Sequence, residues 1–298
     1  MPEPTTAPAR GRTLLPVLTR RVDLRPEIAA LGLTVKSQGA RGTCSVFAST
    51  FLIEYMTCRE KKTSHLDYAE EYLNAVTNLA AFNNTPGDGD FFHAIAEGYR
   101  QFGIVPEAAL PYQAAFNPEL KPDEKLLAAG KAARFLAGFT TVGAHSPRGL
   151  DDDQLAAVLQ QLDDGVPVAM GFHGSNTIVT TTFGRIVALD GMKNENSGAF
   201  AHSVPIVGYV ARLGLPGGGG YFIYRDSGGP GAGDHGYGYF TFNYARKYVY
   251  DFVVYRRKPE LLPNLIARPM TKVPPVRFTN REDLTLLARK INPRSRVI

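Results

Sequence analysis

Cys44 is the residue whose position most directly indicates chemistry. It follows a loop with two glycines, residues 38–43, and it precedes a long stretch without glycine or proline. A thiol at a helix N-terminus faces unpaired backbone N–H groups and the positive end of the helix dipole, and both favour the nucleophilic thiolate. From position alone, Cys44 is interpreted either as a nucleophile or as a small buried side chain.

Cys44 and Cys58 are the only cysteines, and the segment between them predicts one helix. Apolar residues at positions 47, 51, 52, 55 and 56 have the spacing of an amphipathic helix. On a straight helix the two sulfurs are about 20 Å apart, whereas a disulfide needs Cα atoms within about 7 Å. We therefore expect two free thiols, as is typical of a reducing compartment. Neither has a Cys/His cluster at metal-ligand spacing beside it, so neither a metal nor another cofactor is expected.

Several blocks of sequence resemble the papain family of cysteine peptidases. They are Val-Asp-Leu-Arg-Pro from residue 22, Val-Lys-Ser-Gln-Gly from 35, Gly-Thr-Cys-Ser-Val-Phe-Ala from 42, Gly-Asp-Gly-Asp-Phe-Phe-His-Ala-Ile from 87, Phe-Gly-Ile-Val-Pro-Glu-Ala-Ala-Leu-Pro-Tyr from 102, Ala-His-Ser-Val-Pro-Ile-Val-Gly-Tyr from 201, Tyr-Phe-Ile-Tyr-Arg-Asp-Ser-Gly-Gly from 221 and Gly-Asp-His-Gly-Tyr from 233. The blocks follow the family's order across about four fifths of the chain. The chain resembles a divergent branch, and its richness in Ala, Arg, Gly and Pro suggests a bacterial source.

The resemblance implies catalytic roles for four residues. Cys44 would be the nucleophile, and Gln38, six residues earlier, would donate to the oxyanion. His202 would share a proton with Cys44, and Asp226 would orient its imidazole in place of the family's usual asparagine. Among the six histidines, His202 opens an apolar strand that would hold the ring rigidly, and His235, in a glycine-rich turn, is the second choice. The alternative role of Asp226 is to cap the Ser-Gly-Gly turn that follows it.

The resemblance also assigns five residues to substrate binding. Gly42 lies in the loop before the nucleophile, and Gly89 would let an extended peptide approach because glycine has no Cβ. Phe91, Met170 and Ala201 match positions that line the family's main apolar specificity pocket. An apolar or aromatic side chain is therefore expected at the second residue before the cleaved bond. The alternative for these three residues is a place in the core.

The chain departs from the family pattern at several positions. Ser45 replaces the aromatic residue after the nucleophile, and Arg41 replaces a half-cystine three residues before it. Gly228 and Ala232 stand where the family has two tryptophans that shield the bond between histidine and asparagine. Since only 21 residues precede the matching start, an inhibitory propeptide of the family's kind is not expected. A cysteine endopeptidase acting through a thioester is the leading prediction; a papain-fold acyltransferase, peptide ligase or deamidase and a catalytically silent binding module are the alternatives.

The implied architecture is an α+β fold of two lobes with the active site between them. The helical lobe is expected over residues 31–115 and the strand-rich, barrel-like lobe over residues 135–255. Apolar spacing predicts helices at 44–58, 67–81, 91–102 and 151–162. Runs rich in Val, Ile, Tyr, Phe and Thr predict strands at 166–172, 178–189, 203–211, 221–225, 237–242 and 248–255.

Positive charge is concentrated at the two ends of the chain. An N-terminal extension is expected over 1–21, the peptidase domain over 22–257 and a basic, proline-containing tail over 258–298. Residues 256–298 contain 11 Lys or Arg against 3 Asp or Glu, whereas residues 22–255 are net −6. The charge of the tail is therefore interpreted as an aid to solubility or as a means of docking on the acidic body, and the alternative is a tail that binds a partner. If it docks on the body, its segment 258–280 would limit access to the cleft.

The sequence also bounds the partners and the location. A peptide or protein substrate is expected, and the absence of a zinc finger, an RNP-type motif or a basic strip with aromatic residues argues against nucleic acid. No apolar run is long enough for a transmembrane helix, and the N-terminus lacks a secretory-signal pattern. A cytoplasmic location without membrane partners is therefore expected, with export by a signal-independent route left open.

Overall fold

A computed structural model describes residues 19–80, 86–135, 138–141, 149–174, 186–187, 200–212 and 214–256. The basic tail, most of the N-terminal extension and most of the strand predicted at 178–189 lie outside these ranges. Of that strand, the short pair Ile186–Val187 is described.

Most of the helices lie in the first half of the chain. They are α1 (Arg25–Ala30), α2 (Cys44–Lys61), α3 (Glu70–Ala80), α4 (Phe92–Phe102), α5 (Glu124–Ala133), α6 (Asp152–Asp163) and α7 (Phe242–Tyr248), with a 3-10 turn at Glu107–Ala109 and a short helical turn at Pro216–Gly219. The four predicted helices correspond to α2, α3, α4 and α6. Asp151 caps α6 in a capping box with Gln154, as its acidic start suggests. The sequence patterns did not predict α1, α5 or α7.

The strands form one sheet, and six of the eight lie in the second half of the chain. They are β1 (Thr19–Asp23), β2 (Gly138–Thr141), β3 (Val168–Gly174), β4 (Ile186–Val187), β5 (Phe200–Arg212), β6 (Gly220–Arg225), β7 (Tyr237–Thr241) and β8 (Val249–Arg256). Their order is β2-β8-β3-β5-β6-β7-β4. Strand β1 pairs with the C-terminal part of β5, residues 208–212. Within the described residues the two end strands do not pair with each other, so the sheet is open rather than a closed barrel.

Helix α2 joins the helices to the sheet. It packs against β3, β5 and β8 on one side and against α3 and α4 on the other. Residues 45–58 are all buried, so α2 is not the amphipathic helix that its apolar spacing predicted. The polar side chains of this segment also lie inside the protein, and Glu54 among them accepts a hydrogen bond from Lys36 Nζ at 2.8 Å. Because α2 is buried along residues 45–58, the position of its first residue, Cys44, is fixed relative to the sheet.

The described ranges contain no helix that is both long and apolar enough to cross a membrane.

Candidate active site

Cys44 is the first residue of α2, and its thiol is half-buried at the junction of the helices and the sheet. The imidazole of His202 hydrogen-bonds to the sulfur, and the backbone N–H and hydroxyl of Ser203 also donate to it. Burial raises the pKa of the Cys44 thiol, but the hydrogen bonds and charge of His202 outweigh burial, so the net pKa is lowered. For Cys58, in the same helix, burial outweighs a hydrogen bond from the backbone N–H of Leu66, so the net pKa of its thiol is raised. The two free thiols therefore differ in their tendency to ionise.

His202 is held on β5 opposite Phe172 of β3. The two rings meet edge to face, with centroids 5.8 Å apart. His202 Nε2 lies 3.4 Å from Asp226 Oδ1. Burial lowers the pKa of His202, but hydrogen bonds and charges from Asp226 and Cys44 prevail and raise it to about 10. Both neighbours therefore favour the imidazolium form of the ring.

Asp226 directly follows β6 and has two roles. Its Oδ1 faces His202 and also accepts from the backbone N–H of Gly228 at 3.0 Å, so it caps the turn and contacts the imidazole at once. Burial raises the pKa of Asp226, but His202 and the backbone donors of the turn lower it overall, which keeps the carboxylate ionised. The preceding Arg225 donates to the carbonyls of Leu33 and Thr34, and this contact anchors the end of β6.

The Gln38 side chain is held at both ends of its amide. Its Oε1 accepts from the hydroxyl of Ser227, and its Nε2 donates to the carbonyl of Arg41 at 2.6 Å. Its backbone N–H donates to the carbonyl of Ser227 at 2.8 Å. These contacts place Nε2 against the loop that leads into Cys44. Ser227 was not among the predicted site residues, although it directly follows Asp226 in the matched block.

Comparison with known proteins identifies the family. A family model described as papain family cysteine protease matches residues 18–254. This chain belongs to the papain family. The α+β two-lobe fold that the sequence blocks implied is thus confirmed. A comparison with curated proteins gives no match.

Solved structures of papain-like proteases have a similar fold. Xylellain, a cysteine protease from Xylella fastidiosa, superposes with a TM-score of 0.64 at 20% identity, covering 80% of this chain and 86% of xylellain. The digestive procathepsin L 3 from the larval midgut of Tenebrio molitor gives 0.55 at 20% identity, over 78% of this chain and 69% of that one. Procathepsin L2 from the same source gives 0.55 at 22% identity, over 79% and 67%.

In this papain-family protein the predicted substrate residues differ in exposure. Phe91 is 56% exposed and stacks on His93, and Ala201 is exposed beside His202. Met170 has no exposed surface, so its side chain belongs to the core. Of the three residues assigned to the apolar pocket, Phe91 and Ala201 are therefore accessible to a substrate side chain.

The two predicted glycines pack against each other's loops. A Cβ on Gly89, whose φ is +89°, would lie 2.3 Å from the Gly42 carbonyl oxygen. A Cβ on Gly42 would lie 2.5 Å from the carbonyl oxygen of Asp88. The glycine at position 89 is thus required by the close approach of two backbones within the protein itself.

Tyr250 on β8 was not among the predicted site residues, although the charge of Cys44 acts on its phenol. Its ring is tilted by 38° relative to the ring of His173, with centroids 4.7 Å apart, and it lies 3.0 Å from where a Cβ on Gly171 would be. Burial, followed by the charges of Cys44 and Asp251, raises the pKa of Tyr250 to about 12. Its place in a predicted strand was the only sequence signal, and that signal gives no direction for the side chain.

Proposed function

We propose that this protein is a cysteine endopeptidase that hydrolyses peptide bonds through Cys44, His202 and Asp226. The observation that supports it best is the continuous hydrogen-bonded line from the Cys44 sulfur through the His202 ring to Asp226 Oδ1. This line unites a nucleophile, a proton carrier and a group that orients the carrier. The opposite pKa shifts of Cys44 and His202 favour a thiolate–imidazolium pair at neutral pH.

Acylation begins with attack of the Cys44 thiolate on the scissile carbonyl carbon. The carbonyl π electrons move to oxygen, and Gln38 Nε2 and the backbone N–H of Cys44 stabilise the resulting oxyanion. An amide nitrogen carries two hydrogens, so Gln38 can keep its bond to the Arg41 carbonyl and still donate to the oxyanion. His202 then protonates the leaving amine, the C–N bond breaks, and a thioester remains on Cys44.

Deacylation uses the same groups in reverse. Neutral His202 removes a proton from water, and the hydroxide attacks the thioester carbonyl. The C–S bond breaks, the carboxylic acid leaves, and the thiolate–imidazolium pair is restored. Asp226 holds the ring in one orientation through both steps.

The carboxylate at position 226 suits a site without shielding tryptophans. The side chain of Asp226 is 24% exposed, so water reaches the bond to His202. A hydrogen bond between charged groups is roughly twice as strong as one between neutral groups. An aspartate therefore competes with water for the imidazolium better than a neutral asparagine would.

The proposed function is tested with a random peptide library and the purified protein. We expect internal cleavage and products with free carboxyl ends. We also expect a preference for an apolar or aromatic side chain at the second residue before the cleaved bond. Transfer of the acyl group to an added amine with little hydrolysis would favour an acyltransferase or ligase. Loss of ammonia without chain cleavage would favour a deamidase, and no reaction by a protein whose Cys44 is intact would favour a silent module.

Replacement of Gln38 by alanine is expected to lower kcat by about 10²–10³-fold with a small change in KM, because the lost donor acts on the transition state. Steady-state kinetics on one peptide substrate measures both constants. Ser227→Ala is the matched variant: it frees Gln38 Oε1 but leaves Nε2 in place, so we expect a smaller loss. An unchanged kcat in Gln38→Ala would remove this residue from the proposed oxyanion site.

A further inference from the structure

Arg41 is buried between two loops that meet at the candidate nucleophile. Its side chain is 3% exposed. Its Nε and Nη2 donate to Asp88 Oδ1 at 3.1 and 2.8 Å, and its Nη1 donates to Glu71 and to the carbonyl of Gln113. The guanidinium carbon lies 4.5 Å from the centre of the Tyr112 ring. We call Glu71, Arg41 and Asp88 the ionic clamp.

The ionic clamp, together with one further hydrogen bond, fastens residues 87–90 to the chain on both sides of Cys44. Asp88 Oδ2 accepts from the backbone N–H of Gly42 at 3.1 Å. The backbone N–H of Asp90 donates to the hydroxyl of Ser45 at 3.4 Å. Segment 87–90 is therefore tied to positions two residues before and one residue after the sulfur, and it forms a wall of the site.

The backbone of Arg41 has a second effect on the site. Its carbonyl accepts from Gln38 Nε2 at 2.6 Å, so the residue whose side chain holds the wall also holds the proposed oxyanion donor. An arginine suits this place because its planar guanidinium donates in several fixed directions at once. A lysine offers one compact charge and cannot keep the same set of contacts.

We propose that the ionic clamp positions an extended peptide substrate, with Arg41 as the positioning residue. By fixing segment 87–90 beside Cys44, it sets where a peptide bound along that wall presents its scissile carbonyl. This inference rests on the proposed function, because it assumes that a peptide reaches Cys44. The ionic clamp takes no part in forming or breaking covalent bonds.

The test compares two reagents that attack Cys44. Iodoacetamide needs only the thiolate, whereas a peptidyl epoxysuccinate must also bind along the cleft. In Asp88→Asn, which keeps the side-chain shape, we expect the ratio of the epoxysuccinate rate to the iodoacetamide rate to fall at least about tenfold. Arg41→Lys should lower the ratio in the same direction, because lysine loses most of the contacts.

Asp23→Asn is the matched control. Asp23 also receives two donors from one arginine, Arg25, at 2.8 and 2.7 Å, and its side-chain exposure is 15% against 20% for Asp88. It lies on β1, outside the proposed site. We expect Asp23→Asn to leave the ratio of rates unchanged, whatever it does to the melting temperature.

The outcomes separate this inference from the proposed function. An unchanged ratio in Asp88→Asn and Arg41→Lys would overturn the positioning role, even if the wild-type protein cleaves peptides. An equal fall in Asp23→Asn would also overturn it, because the effect would then be general destabilisation. Failure of the wild-type protein to hydrolyse peptides would refute the proposed activity, while the ratio of labelling rates would still decide the role of the clamp.

Discussion

His202→Ala is expected to lower kcat/KM for peptide hydrolysis by about 10³–10⁴-fold. The variant loses the imidazolium that holds Cys44 as a thiolate, and it loses the acid that protonates the leaving amine. Both losses slow acylation. A higher substrate concentration should therefore not restore the rate. Progress curves on a fluorogenic peptide at high enzyme concentration measure the residual rate.

His235→Ala is the control for that experiment. His235 is exposed in the turn before β7, and it was the second choice for the catalytic histidine. We expect it to retain most of the wild-type activity. A large loss in His235→Ala together with a small one in His202→Ala would reverse the assignment of the proton carrier.

Cys44→Ala is expected to abolish hydrolysis, with a fall of about 10⁴-fold or more, because the remaining thiol, Cys58, is buried and cannot form the thioester in its place. Cys58→Ala offers a matched comparison within the same helix. Cys58 is buried and its pKa is raised, so its removal should lower stability slightly and leave kcat/KM near the wild-type value. The measurement is kcat/KM together with a thermal unfolding curve for each variant.

The cysteine comparison has two contradictory outcomes. Residual hydrolysis near the wild-type rate in Cys44→Ala would exclude Cys44 as the nucleophile. Equal loss of activity in Cys58→Ala, at a temperature where that variant is folded, would mean that the two thiols are not chemically distinct.

The sequence was most informative where function depends on local spacing. The glycine loop before Cys44, the six-residue interval from Gln38 and the apolar run after His202 are all short-range patterns. Each fixes the place of a residue on an element, and the structure brings these three residues and Asp226 into one site. Their joint position could be anticipated because the order of the blocks pointed to one fold.

The environment of α2 could not be read from spacing. Its polar residues indicate a solvent face, yet Glu54 is buried because Lys36, 18 residues earlier in the chain, reaches it. A sequence pattern reports the period of polar residues but not which distant residue neutralises them. The prediction of an amphipathic helix failed for that reason.

Long-range contacts also account for what was missed within the site. In the sequence, Arg41 is only a departure from the family pattern. Its ion pairs could not be predicted because its partners Glu71 and Asp88 lie 30 and 47 residues away. Tyr250 comes from a strand that is adjacent to β3 only in the folded sheet. Met170 matched a pocket position by sequence, whereas the inward face of β3 places its side chain in the core.

The central claim is that the sulfur of Cys44 and the imidazole of His202 act as one ion pair. The most direct measurement is the pH dependence of Cys44 alkylation by iodoacetamide, with the modified residue identified by mass spectrometry, in the wild type and in His202→Ala. Because the pKa of Cys44 is lowered by His202, wild-type alkylation should stay fast below the ordinary cysteine pKa of about 8.5 and fall only in more acidic solution. In His202→Ala that fall should move up to the ordinary range. Alkylation at Cys58 instead, or a Cys44 profile that does not move when His202 is removed, would contradict the account.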